Sequence, residues 1–282
     1  MSLDLLQPQW PAPAHVQATF TTRTAGASAA PFDSLNLGDH VDDQPAHVAQ
    51  NRAVLQQAMR TRPVFLNQVH GVDVAALHAG IADGTQADAC ITQARGVACT
   101  IMVADCLPLL MTDRAGSFVA AAHAGWRGLV GTQQHGVLEA TFKAISALQA
   151  VEPAQAAIKL RADELLVWLG PCIGPAQFEV GAEVKAAFEA SQADAARHFK
   201  KLTDLAGVAV ASGAPEKYLA NLPALARDRL HALGITQIYG NDGSPAWCTA
   251  SNPSQFFSHR RDAVRLGSTG RMAACIWLAD AS

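Results

Sequence analysis

The chain lacks paired cysteines. Its six, Cys90, Cys99, Cys106, Cys172, Cys248 and Cys275, are scattered without a CxxC spacing, which is the distribution of buried thiols in a reducing compartment and not of a disulfide framework. It also lacks blocks of basic residues. A net charge of -3 spread along 282 residues leaves no electrostatic footprint for nucleic acid or an anionic membrane, and points to a small, mostly neutral partner. No apolar run approaches the ~20 residues of a membrane span. The run ending in Met102-Val103-Ala104 is broken by Asp105. The opening Met1-Ser2-Leu3-Asp4-Leu5 has no basic region followed by an apolar stretch, so a cytoplasmic location is expected. There is no P-loop and no GxGxxG, so a phosphate would have to be held by arginines. Nothing reads as an interdomain linker either, and residues 1–282 are expected to form a single catalytic domain.

Half of the residues are hydrophobic, ample for a core. The order of elements is mixed instead of a regular βαβ alternation, which favours α+β over a doubly wound parallel sheet. Alternation predicts a strand over Val16–Thr22, with Val16, Ala18 and Phe20 on one face, and helical spacing predicts a helix over His47–Met59. Strands are expected at Val64–Val69, Val97–Val103, Leu107–Thr112, Phe118–His123 and Leu165–Leu169, and helices at about Thr132–Leu148, Val180–Ala190 and Tyr218–Leu233. Pro31–Gly38 reads as loop, and so does the Gly-rich Leu205–Pro215. Ile235–Tyr239 and Met272–Leu278 read as a final strand pair.

Three segments end strands on metal-capable or nucleophilic side chains: Asn67-Gln68-Val69-His70-Gly71, Ala104-Asp105-Cys106-Leu107-Pro108 and Ala122-His123-Ala124-Gly125-Trp126-Arg127-Gly128. The turn Asp113-Arg114-Ala115-Gly116 marks a hairpin between the second and the third. Centred between Arg114 and Ala115, that turn sets Met111 opposite Phe118 and Cys106 opposite His123. Directly paired side chains lie about 4.5–5.5 Å apart at Cβ, close enough to share a metal ion or form a thiolate–imidazole pair.

Two imidazoles and a thiolate suit a tetrahedral zinc with a fourth position left for water or substrate, the pattern of a catalytic site. Such a metal lowers the pKa of water towards ~7 and suits hydrolytic deamination. Without metal the same residues read as a Cys–His nucleophile pair, and spacing does not separate the two. Cys90, Cys99, Cys248 and Cys275 read as core thiols. His15, His40, His47, His78, His135, His198 and His231 read as solvated. Arg23, Arg127, Arg260, Arg261 and Arg271 lie in glycine- or serine-containing loops, where a guanidinium can clamp phosphate in a bidentate fashion. Arg127 stands out because Gly128 and Gly131 follow it ahead of a helix. Ser34, Asn36 and Asp105 are polar candidates for orienting a base or ribose.

Phe20-Thr21-Thr22-Arg23, Ser34-Leu35-Asn36-Leu37-Gly38, the three segments above, Gly170-Pro171-Cys172-Ile173-Gly174, Phe257-Ser258-His259-Arg260-Arg261-Asp262 and Thr269-Gly270-Arg271 occur in that order. Together they resemble the purine nucleoside phosphorylases of the laccase-domain type, long labelled polyphenol oxidases. Thr24-Ala25-Gly26 departs from the family's usual Gly-Gly after the arginine. The resemblance implies a layered α/β/β/α-type sandwich with mixed sheets, similar to cysteine-hydrolase-like deamidating toxins. It implies a zinc-dependent phosphorylase for adenosine, inosine and methylthioadenosine that also deaminates adenosine, with His70, Cys106 and His123 as both metal ligands and catalytic residues. Copper is the less favoured occupant. A copper laccase needs HxH motifs and histidine beside cysteine, and the chain has neither. A second implied reading is an editing hydrolase that removes L-Ser from a UDP-MurNAc conjugate. Nucleoside and phosphate are the expected partners, for a monomer or weak homo-oligomer.

Overall fold

In the computed structural model the described residues are 3–132, 135–148, 161–202 and 215–279. The predicted loop over Leu205–Pro215 lies outside them save for its last residue. Two mixed sheets dominate. The first has five strands, β1 (Leu5–Leu6), β2 (Val16–Thr21), β3 (Arg62–Phe65), β6 (Val97–Val103) and β14 (Met272–Leu278), in the order β1-β2-β14-β6-β3. The second has six, β4 (Val74–Ala76), β5 (Ala89–Thr92), β7 (Leu107–Asp113), β8 (Val119–Ala124), β9 (Leu165–Leu169) and β13 (Gln237–Gly240), in the order β13-β9-β7-β8-β5-β4. A small third sheet joins β10 (Glu179–Gly181), β11 (Phe199–Lys201) and β12 (Lys217–Ala220).

The core follows from the pleat. β6, β7, β8 and β9 are buried at every position, as central strands covered on both faces must be. Val16, Ala18 and Phe20 pack with Ile101, Leu110, Ala121 and Trp168 between the two large sheets. On the outer side of the six-stranded sheet, Leu109, Ala120, Ala122 and Val167 pack against helical residues such as Leu138 and Ile145 of α3 (Val137–Leu148) and Leu225 and Leu230 of α5 (Leu222–Ala232). The outer side of the five-stranded sheet is covered by Leu55 and Met59 of α1 (Pro45–Met59). The result is the expected α+β, α/β/β/α layering with mixed sheets.

Several expectations are corrected. β3 stops at Phe65 instead of Val69 because the amides of Val69, His70 and Gly71 turn to a side chain, that of Asp88. The helix expected over about Thr132–Leu148 begins only at Val137, as α3, and a separate short α2 (Trp126–Val130) precedes Thr132. Tyr218 belongs to β12, where Tyr218 and Ala220 point inward with period two; the helix begins at Leu222, where the Asn221 side chain accepts the Ala224 N–H at 3.1 Å. The two C-terminal strands do not pair: β13 runs parallel to β9, and β14 lies between β2 and β6. The hairpin register also differs. His123 lies opposite Pro108, and Thr112 opposite Val119, because Asp113 accepts both the Ser117 N–H at 2.7 Å and the Ser117 hydroxyl at 2.5 Å, which draws Ser117 and Phe118 into the loop. The slip is by two residues, so every side chain keeps its face.

Candidate active site at the crossing between the sheets

β6 and β7 belong to different sheets, and Ala104-Asp105-Cys106 carries the chain across. Asp105 makes the corner in a left-handed conformation, φ 93°, which a non-glycine residue holds only where its surroundings fix it. They do. Its carboxylate accepts from Thr249 Oγ1 at 2.6 Å, Ser258 Oγ at 3.0 Å and the Arg260 N–H at 2.6 Å, while its backbone oxygen accepts the Ile173 N–H at 2.9 Å. This ties Cys106 to the N-terminus of α6 (His259–Leu266), whose cap Ser258 accepts the Arg261 N–H.

Across from this corner stands a second buried carboxylate. Asp88, fully buried ahead of β5, accepts the N–H groups of Val69 at 3.1 Å and Gly71 at 2.7 Å on Oδ2, and those of His70 at 2.9 Å and His123 Nδ1 at 2.8 Å on Oδ1. Its backbone oxygen accepts the His123 N–H at 2.7 Å. One carboxylate thereby fixes His70, left-handed at φ 61°, and His123 on β8. Engaging Nδ1 leaves His123 Nε2 as the ring nitrogen available to the cluster. Sequence reasoning missed Asp88, whose donors come from segments 17 to 35 residues away. The signal was a single carboxylate within the apolar Ala87-Asp88-Ala89-Cys90-Ile91, since a buried charge demands partners.

His70, Cys106 and His123 each present a ligand atom, all within 4.8 Å of one another. Cys106 Sγ lies 3.8 Å from His70 Nε2, and the two imidazoles stand edge to face at 4.8 Å between centroids. The cluster can hold a metal ion. Gly125 leaves the room: a Cβ there would come to 2.9 Å from His70 Cδ2 and 3.0 Å from Cys106 Sγ. Burial favours the neutral forms of Cys106 and His123, but their mutual attraction prevails. The facing His123 imidazolium, with hydrogen bonds from both histidines, brings the Cys106 thiol from 9.0 down to about 6. The Cys106 thiolate and Asp88 lift His123 from 6.5 to about 9. Burial likewise opposes the charge on Asp88, which the His123 and amide hydrogen bonds hold below the usual carboxylate range.

The cluster opens into a cavity of ≈ 310 Å³. Apolar walls come from Met102, Val103, Trp126, Ile173, Phe178 and Leu222, and cationic or titratable groups from His40, His259, Arg260 and Arg271. Gln68 is spent on Met102, bonding its N–H and C=O at 2.8 Å each. Arg260 is held loosely, 3.5 Å from the Gln177 oxygen and 5.8 Å over the Phe178 ring. Arg271 donates to the Thr269 oxygen at 2.9 Å.

Of the other candidates, Arg23, Ser34, Asn36, Arg127 and Arg261 do not line this cavity. Arg23 pairs with Asp33 and stacks on Phe257. Arg261 is spent on Asp262, Thr249 and Phe256. Fully buried Asn36 accepts the Arg271 N–H at 2.8 Å, so it shapes the cavity from behind. Arg127 is exposed and lies over the Trp126 ring. Asp105, expected to orient base or ribose, spends its oxygens on protein donors. Among the histidines expected to be solvated, His40 lines the cavity, His15 contacts the Gly116 oxygen and His198 pairs with Asp228.

Fold and site define a layered α/β/β/α protein with a metal-capable His/Cys/His cluster at a sheet-to-sheet crossing. Residues 17–279 match the family described as multi-copper polyphenol oxidoreductase laccase, and the chain belongs to that family. It is 47% identical over 275 residues, covering 98% of both chains, to a protein of Pseudomonas aeruginosa named purine nucleoside phosphorylase. It is 44% identical over 276 residues to purine nucleoside phosphorylase YfiH of Escherichia coli, covering 97% of this chain and 98% of that one. A crystal structure of a Neisseria meningitidis protein superposes with a TM-score of 0.79 at 39% identity, covering 98% of this chain and 99% of the other.

Proposed function

We propose that this protein is a zinc-dependent purine nucleoside phosphorylase, a single catalytic domain that cleaves inosine, adenosine and methylthioadenosine with phosphate and also deaminates adenosine. The names of its relatives support the phosphorylase class. The observation that carries the reading is the pairing, in one cavity, of the three-donor cluster with the guanidinium groups of Arg260 and Arg271. Among the described residues both guanidinium groups hydrogen-bond only backbone oxygens, so each has donors to offer a phosphate.

His70, Cys106 and His123 would hold the metal, and the donor set, with one open position, is that of catalytic zinc. When bound, such an ion supplies a Lewis acid able to activate water near neutral pH, which adenosine deamination requires. The remaining work falls to the chain. Arg260 and Arg271 bind phosphate oxygens, Trp126, Phe178 and Ile173 pack against the purine and exclude water, and Asp105 holds Arg260's helix against Cys106. Enclosure in an apolar-walled cavity strengthens the arginine–phosphate attraction.

Zinc-loaded protein is incubated with inosine, with and without phosphate. The expected products are ribose 1-phosphate and hypoxanthine, formed only with phosphate, and adenosine under the same conditions should yield inosine as well as adenine. Unchanged nucleosides in phosphate buffer would overturn the reading.

A further inference from the structure

Phosphorolysis needs one more group. When a phosphate oxygen bonds to C1′, the C1′–N9 bond breaks and its electron pair moves into the purine, which leaves as an anion unless a proton arrives at N7. The titratable side chains among the described residues lining the cavity are few. His70, Cys106 and His123 form the metal-capable cluster. Asp105 already receives three protein donors. His40 is 3.6 Å from Asp39, and burial together with the Arg271 charge lowers its pKa below the ordinary 6.5, which disfavours the charged form a proton donor needs. His259 remains. It is the first residue of α6, set beside Ser258 on the turn that Asp105 anchors, and among the described residues its ring makes no hydrogen bond.

We infer that His259 is the general acid of the phosphorolysis, delivering an imidazolium proton to N7 of the departing purine. This rests on the phosphorylase reading above. The step balances: phosphate gains the bond to C1′, the purine gains the C1′–N9 pair and the proton, and His259 is left neutral until water reprotonates it. The free ring suits the task, because a donor already committed to a protein acceptor would have to break that bond first.

The test compares inosine with 7-methylinosine, whose N7 already carries the positive charge that protonation would create. Zinc-loaded His259→Gln is expected to lose on the order of 100-fold in kcat on inosine, the usual contribution of a general acid. On 7-methylinosine it should lose less than about threefold, since no proton is needed there. Zinc content and the KM for phosphate should match the unsubstituted protein, which excludes a misfolded site. Equal losses on both nucleosides, or no loss on inosine, would overturn the assignment while leaving the phosphorylase reading intact. If the unsubstituted protein cleaves neither nucleoside, that reading fails and the role of His259 falls with it.

Discussion

The two sides of the cavity are each organised by one buried carboxylate, and they are built differently. Asp88 serves the side of His70 and His123, where a strand end and a strand-following turn are pinned by five hydrogen bonds to one residue. Asp105 serves the other side, where its carboxylate holds the cap of a short helix, and the arginine beyond that cap reaches into the cavity with little restraint. A side that presents a metal-capable cluster needs donor atoms fixed to fractions of an ångström. A side that grips a phosphate gains from long, adaptable arginines. The sequence mirrors this: the first side rests on a strand register, the second on a loop and a helix start.

Substitutions on the cluster side should have the largest effects. Cys106→Ala removes the anionic donor, so stoichiometric metal should be lost and adenosine deamination should fall by about 10³-fold or more, as elemental analysis and a product assay will read. Metal retained at one ion per chain in this variant would remove the cluster from the mechanism. On the opposite side, Arg260→Ala or Arg271→Ala should lower inosine phosphorolysis about 10- to 150-fold, the value of one charge-assisted hydrogen bond to an ion of roughly 1.5–3 kcal/mol. Deamination should fall far less, and equal loss in both reactions would erase the division between the two sides.

Asp88→Asn sharpens the contrast without touching a donor atom. An amide offers one acceptor oxygen where the carboxylate offers two, and its NH2 would face amides that themselves donate. Metal affinity should drop about 10- to 100-fold, the usual cost of disturbing the partners behind the ligands. A competition titration against a chelator measures it, and unchanged affinity would mean that the His123 ring is held by packing alone.

A smaller effect concerns metal-stripped protein. With the Cys106 thiol lowered to about 6 and His123 raised to about 9, the thiolate is present above pH 6, and iodoacetamide labelling of Cys106 should decline as the pH falls through that value. In His123→Ala the thiol returns towards 9. At pH 7 labelling should then slow by about fivefold, because a roughly 100-fold loss of thiolate is partly offset by the greater nucleophilicity of a more basic sulfur. Labelling that speeds up instead would contradict the ion pair. Smallest of all, Arg127→Ala should change phosphorolysis by less than about twofold, because Arg127 lies exposed on Trp126; a loss as large as that of Arg260→Ala would redraw the cavity.

Much of the fold was legible in the sequence. The strands Val97–Val103, Leu165–Leu169 and Met272–Leu278 have the predicted limits, since long apolar runs bounded by polar residues carry their own signal. The meeting of Cys106 and His123 also came from sequence, because a hairpin fixes which strand faces meet, and a register error of two residues leaves those faces unchanged, whereas His70 joined them through the motifs that carry the family resemblance. Tyr218 was misplaced because a four-residue strand runs directly into a helix, and Asn221 and Pro223 mark the boundary more reliably than hydrophobic spacing does.

What the sequence determined by itself was the set of local elements and the three donors that their ends carry, because periodicity and turn chemistry act over a few residues. Only the tertiary structure decided which arginines face the cavity. Arg260 and Arg261 are neighbours on one helix turn, yet one lines the cavity and the other is consumed by Asp262 and three backbone oxygens. The same holds for Asp88 and Asp105. Both are among 24 acidic residues, and although Asp105 stood out in the sequence, the anchoring role of each shows only when chain segments far apart in sequence bring their donors to it, because the cost of burying a charge can be met only by partners that the fold assembles.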